Sequence, residues 1–189
     1  MEAVIHSNAI SLVPDNIAAN HEHNLEDIIN RYGNAILKYC YGVLCNYHDA
    51  QDAMQETFIK AHHAAKALRD PNAYSTWLYK IAYNTCLNMR RSKKHQLLPE
   101  PKETDGEAYF IEDNFIDPAL LEALTALPPH YRAVFYSRAV EDMDYKQMEA
   151  LYNIRSASLR KTYERAKNKL REILTAKGYK IGECCISGG

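Results

Sequence analysis

The chain has 189 residues, 47% of them apolar and 25% charged, and its formal net charge is −1. That is enough to bury one or two modest cores, while no apolar run approaches membrane-spanning length, which excludes an inserted bundle. The near-zero charge argues against a uniformly basic nucleic-acid binder, yet it averages two opposed segments. Glu100, Glu103, Asp105, Glu107, Glu112, Asp113 and Asp117 face only Lys102 between residues 100 and 117. Arg155, Arg160, Lys161, Arg165, Lys167, Lys169, Arg171 and Lys177 face only Glu164 and Glu172 further on. Such asymmetry assigns different partners to different segments.

Taken in chain order, residues 1–23 show no periodicity and read as a loose leader without a basic n-region or an apolar h-region, so a cytoplasmic protein is expected. Asn24 is a candidate N-cap for a first helix whose inward positions are Leu25, Ile28, Ile29, Tyr32, Ile36, Tyr39, Cys40 and Val43. Asp49 begins a second helix, with Ala50, Ala53, Met54, Phe58, Ala61, Ala65 and Leu68 inward. Its acids lie early and its bases late, as the helix dipole favours. Asp70-Pro71 breaks it, and a third helix follows over about 72–91 with Tyr74, Trp77, Leu78, Ile81, Ala82, Thr85 and Met89 as its apolar stripe. The polar face of that helix, which Trp77 borders, is unusual. Trp77, Lys80, Asn84, Asn88 and Arg91 recur at steps of three and four, a set of amide, cationic and indole groups suited to unpaired bases and phosphates.

Residues 96–117, with Pro99, Pro101, Gly106 and the acid run, read as a flexible acidic linker. Helices resume at Pro118–Leu127, stop at Pro128-Pro129 and continue to about Val140. Asp144–Tyr152, a turn at Asn153-Ile154-Arg155 and a basic helix from Ser156 to about Lys177 then form a helix-turn-helix pattern. Asp144 with Gln147 predicts a capping box, and Asn153 can take the left-handed conformation such a turn requires. Leu159, Tyr163, Ala166, Leu170 and Ile173 point inward, leaving Ser156, Ser158, Lys161, Thr162 and Arg165 outward near the N-terminal half. A DNA reader competes here with a solvated basic helix. Cys40, Cys45 and Cys86 lie on apolar helical faces and read as buried reduced thiols, so no disulfide framework is expected. The expected fold is all-α: two small helical domains, 24–95 and 118–177, joined by the linker and followed by a tail at 178–189.

Three segments together resemble the bacterial RNA polymerase sigma factors of the extracytoplasmic-function group, in the sigma-70 family. DAQDAMQETFIKA resembles the region 2 helix that docks on the clamp coiled coil of the polymerase β′ subunit, and STWLYKIAYN resembles the promoter-melting helix that follows. LPPHYRAVFYSRAVEDMDYKQMEALYNI and ASLRKTYERAKNKLRE resemble region 4. The resemblance spans roughly residues 24–175 and implies a sigma region 2 bundle and a region 4 helix-turn-helix. It implies core polymerase contact by Asp49, Asp52, Gln55 and Glu56, with the β′ clamp and the β flap as partners, promoter DNA as ligand and an anti-sigma factor as a further partner. Asn84 matches the position that holds a flipped-out base of the −10 element, framed by the loop 66–72. Arg90, Arg91, Lys93 and Lys94 would hold the opening duplex, beside Lys80 and Asn88, while Trp77 is either core or a DNA contact. Ser156, Ser158, Arg160, Lys161, Thr162 and Arg165 would meet the −35 duplex.

Three positions depart from the family pattern. Tyr83 stands where arginine is common, Glu149 where the helix-turn-helix wants a small alanine, and Thr162 where arginine is common. Glu149 puts the interhelix packing of the motif in question or implies a tilted first helix. No constellation supports catalysis, a cofactor or a metal, since the His21/His23, His62/His63 and Cys184/Cys185 pairs lack tetrahedral-site spacing. The competing reading is a stand-alone helix-turn-helix regulator. A decoy that occupies the polymerase clamp without binding DNA is a third, and a metal-dependent nuclease comes last.

Overall fold

A computed structural model describes residues 25–65, 73–95 and 118–179. The leader, the loop at 66–72, the acidic linker and the C-terminal tail lie outside the described residues, and with them the expectations for Asn24, Leu68 and the tail cysteines. The described residues are helical, in the order α1 (Leu25–Leu44), α2 (Tyr47–Ala64), α3 (Tyr74–His95), α4 (Pro118–Thr125), α5 (Pro129–Ala139), α6 (Tyr145–Tyr152) and α7 (Ser156–Ala176). The all-α expectation holds.

Local chemistry sets the boundaries. The α2 helix starts at Tyr47, two residues before the expected Asp49, because Asn46 is extended (φ −143°, ψ 128°) and its Oδ1 accepts the Asp49 N–H at 2.9 Å. Pro129 opens α5, where its missing N–H costs nothing. Asp144 and Gln147 form the expected reciprocal capping box, at 2.7 and 2.8 Å. The α6 helix ends on Asn153 at φ 55°, ψ 41°. A branched residue there would pay the full left-handed penalty. Asn153→Val is therefore expected to lower stability by about 1–2 kcal/mol and Asn153→Gly to preserve it, as thermal unfolding would read.

The inward stripes are largely those the periodicity predicts, with three corrections. Ile29 is 40% exposed, because the α1 contacts with α2, α3 and α5 fall on the Tyr32–Ile36–Tyr39–Val43 side. Cys45 is not on a helical face. It lies just past α1 at φ 56°, half-buried, whereas Cys40 and Cys86 are fully buried free thiols. Thr57, which looks like a surface position, is completely buried and donates its hydroxyl to the Ala53 carbonyl at 2.6 Å.

The two helical units, α1–α3 and α4–α7, share one core. The α1 helix packs on α5, and α3 on α6. Tyrosines fill the seam: Tyr39 meets Tyr79 edge-on at 5.1 Å and Tyr136 at 6.0 Å, and Tyr83 meets Tyr152 edge-on at 4.8 Å. The Tyr39 and Tyr152 hydroxyls are 3.0 Å apart, and Ser137 Oγ lies 2.7 Å from Tyr152. Gly42 lets the seam close, since a Cβ there would stand 2.3 Å from the Tyr136 ring.

Polar groups are buried in this seam as well. Tyr79 donates to Glu141 Oε2 at 2.6 Å, Arg132 Nη1 donates to Cys45 Sγ at 3.3 Å, and Tyr83 Oη lies 3.0 Å from His130 Nδ1. The Nε and Nη2 of Arg132, which is 2% exposed, and the Tyr136 hydroxyl have no partner among the described residues. Burying a polar group without a partner costs about 1–3 kcal/mol. The seam is thus tightly packed yet carries penalties that opening would relieve.

Two ionisable groups in the seam pull in opposite directions with pH. Burial raises the Glu141 carboxyl above its usual range, outweighing the hydrogen bond from Tyr79 and the nearby Lys38. Burial lowers His130. The raised Glu141 contributes docking stability that is complete below the ordinary carboxyl range and is lost as pH rises through its elevated value. The depressed His130 contributes stability that is complete above the ordinary imidazole range and is lost as pH falls through its lowered value. Glu141→Gln is expected to remove the loss on the alkaline side of the carboxyl range and raise stability at neutral pH. Denaturant unfolding at a series of pH values would read this.

Candidate nucleic-acid and polymerase-binding surfaces

The expected polar face of α3 is present. Lys80, Asn84, Asn88, Arg90 and Arg91 are all exposed, on steps that keep most of them along one side of the helix. Trp77 is half-buried against the Tyr74 ring, with centroids 5.5 Å apart, so its indole supports the near end of that face rather than standing clear of it. Lys93 and Lys94 continue α3 in the basic direction, and their side chains lie outside the described set.

Tyr83, beside Asn84, turns away from the exposed face into the seam, and burial raises its phenol. Lys80 is also engaged there, donating to the Ala150 carbonyl of α6 at 3.4 Å. The first helix of the helix-turn-helix thus sits against the edge of the candidate single-strand reader.

On α2, Asp52, Gln55 and Glu56 are exposed and Asp49 is half-buried at the capped start. Glu56 pairs with Lys60 at 2.7 Å, one turn on, an exposed pair of little energetic weight. Lys60 also donates to Thr85 Oγ1 at 3.1 Å, tying α2 to α3. Sequence reasoning missed Ile59, which is 55% exposed. It follows Asp52, Gln55 and Glu56 at i+7, i+4 and i+3, so all four share one face, and its absence from the inward stripe was the available signal. A large apolar group on an otherwise polar face is what a protein-binding surface needs.

On α7 the outward set divides. Ser158, Lys161 and Arg165 are exposed at the N-terminal half. Arg160 is exposed but lies over the Tyr145 ring, 5.0 Å from its centroid. Thr162 is half-buried and bonds back to the Ser158 carbonyl at 3.0 Å. Ser156 donates its backbone N–H to Glu149 Oε2 at 3.1 Å and its hydroxyl to the same oxygen. The Glu149 side chain is exposed and does not lie between α6 and α7. Its carboxylate swings to the rim and meets the start of α7 instead. Among the described residues no group of three or more histidine, cysteine or acidic side chains could hold a metal, and no helix is long and apolar enough to cross a membrane.

A tyrosine-sealed helical unit bearing an amide-rich reader helix, docked on a helix-turn-helix unit, defines a class before any relative is considered. The sigma-70 region 2 model matches residues 28–96 and the sigma-70 region 4 model matches residues 118–170. The chain belongs to the sigma-70 family of RNA polymerase sigma factors, which are not enzymes, and its relatives put it in the extracytoplasmic-function group. It is 26% identical to the ECF RNA polymerase sigma factor SigE of Mycolicibacterium smegmatis over 157 residues, covering 79% of this chain and 61% of that protein. It is 28% identical to the ECF RNA polymerase sigma factor SigW of Bacillus subtilis, covering 78% of this chain and 87% of that one. Among solved structures it is similar to the sigma factor RpoE from Bartonella quintana, in complex with the anti-sigma factor NepR. The TM-score is 0.65, with 19% identity and coverage of 79% of this chain and 96% of that one. A second neighbour is CnrH in complex with the cytosolic domain of CnrY, at a TM-score of 0.58, 19% identity and coverage of 80% and 88%.

Proposed function

We propose that this chain binds core RNA polymerase inside the bacterial cell and directs promoter-specific initiation, with α7 reading the −35 duplex and α3 holding the −10 element as melted strand. The observation that carries this reading is the exposure of Asn84 on one face with Lys80, Asn88 and Arg91, while Ser158, Lys161 and Arg165 stand exposed on α7. Duplex can be read through the major groove, whereas a base reaches Asn84 only out of the stack. Unstacking costs a few kcal/mol, which the pocket and phosphate neutralisation must offset. Asp52, Gln55, Glu56 and Ile59 supply the polymerase-facing surface. An anti-sigma factor is a fitting further partner, since the RpoE neighbour was solved with one.

The docked seam adds a requirement. Two DNA elements a helical turn or more apart are separated by about 34 Å or more, yet here Lys80 of α3 touches Ala150 of α6. The seam must open for both readers to work, and polymerase binding supplies the energy that holds them apart. Neither reader then needs high affinity, because effective concentration joins two weak sites.

Multi-round transcription from a genomic fragment library, with core polymerase and with or without this chain, tests the reading. New transcripts sharing two upstream elements at fixed spacing are expected. Duplex binding with no polymerase-dependent transcript would replace it with a stand-alone helix-turn-helix regulator.

A further inference from the structure

We infer that Glu149 is a positioning residue for the recognition helix: it caps α7 from the preceding helix and denies that terminus to a DNA phosphate, so that −35 binding here is selective rather than tight. This role rests on the proposed reading of α7 as the −35 helix. Arg155, the N-cap residue of α7, makes no side-chain cap hydrogen bond. The first of the backbone donors at that end goes to Glu149 Oε2, which accepts both the N–H and the hydroxyl of Ser156. The Ser156 hydroxyl also lies 3.3 Å from the Tyr145 carbonyl, so the first turn of α7 is fixed to α6 at two points. The left-handed Asn153 turn brings the two ends together.

A helix N-terminus ordinarily attracts phosphate, through its unpaired N–H groups and its positive dipole end. Here a carboxylate occupies that position. The hydrogen bonds from Ser156 hold its pKa below the usual range, so it is ionised at neutral pH. It therefore repels the phosphate that would otherwise dock there and leaves the backbone grip to Lys161 and Arg165. What Glu149 supplies in return is a fixed first turn, from which Ser158, Lys161 and Arg165 meet the groove at one angle. Fixed geometry favours base discrimination, and a missing phosphate contact lowers sequence-independent affinity.

The test uses the full chain with core polymerase on promoter fragments that differ in the −35 element, over a series of salt concentrations. Glu149→Gln keeps an oxygen that can accept from Ser156 and removes the charge. Glu149→Ala removes both. The glutamine variant is expected to keep the ranking of −35 sequences, bind every fragment more tightly, and steepen the log affinity against log salt slope by about one phosphate contact, or about 0.9. The alanine variant is expected to show the steeper slope together with a roughly tenfold narrower spread between best and poorest −35 sequences, on the scale of one mismatched base pair. A fall in melting temperature with unchanged slope and unchanged ranking would reduce Glu149 to a stability element and overturn the role. Absence of any −35 dependence in the unmodified chain would overturn the reading of α7 and this role with it.

Discussion

Gly42→Ala is expected to drive the two helical units apart while leaving each of them folded. The added Cβ would stand 2.3 Å from Cδ2 and 2.7 Å from Cε2 of Tyr136, on the body of the ring rather than at a flexible tip. That ring is 1% exposed and packed against Tyr39, so it has little room to withdraw. Overpacking of this kind costs about 1–3 kcal/mol, which shifts a docked-to-open equilibrium by about 5- to 150-fold. Alanine is also a better helix former than glycine by about 1 kcal/mol, so α1 itself gains. Small-angle scattering should show a larger radius of gyration with undiminished helical circular dichroism. An unchanged radius would mean that the seam tolerates the methyl group and that Gly42 does not govern docking.

Asn84→Ala is expected to impair promoter opening without weakening duplex binding. The Asn84 amide is exposed on α3, far in sequence from the helix-turn-helix, so its removal leaves α7 untouched. A well-formed amide pair to a base edge is worth about 1–3 kcal/mol, and losing it slows or depopulates the open complex by roughly 5- to 150-fold. Permanganate reactivity of the −10 thymines would fall, whereas protection of the −35 duplex by the holoenzyme would be retained. Equal reactivity in the variant would remove Asn84 from the site.

Much of this was legible in the sequence because helical periodicity reports each helix separately. The Asn84 face of α3, the Asp144–Gln147 box and the Asn153 turn all follow from spacing and side-chain chemistry within one helix or one turn. The seam was not legible, for the same reason. Tyr39 reads correctly as an inward residue, but nothing local shows that its hydroxyl meets Tyr152, 113 positions later. Tyr83 reads as a departure from an arginine-bearing pattern until Tyr152 and His130 are found against it. Arg132 looks like an ordinary surface arginine, yet it is buried at the seam with Cys45, whose own backbone leaves the helix at φ 56°. Glu149 misleads in a further way. Its bulk puts the interhelix packing in question, whereas its length lets the carboxylate reach the start of α7.

Opening of the seam moves the two readers apart, and a distance measurement can read that movement. Fluorophores placed at His62 on α2 and Glu172 on α7, both exposed, would report the spacing of the two units in the free chain, with core polymerase and with promoter DNA. Opening of the seam predicts a short distance in the free chain and a gain on the order of one duplex turn, about 34 Å, in a holoenzyme that makes transcript. An unchanged distance in a transcribing complex would contradict it.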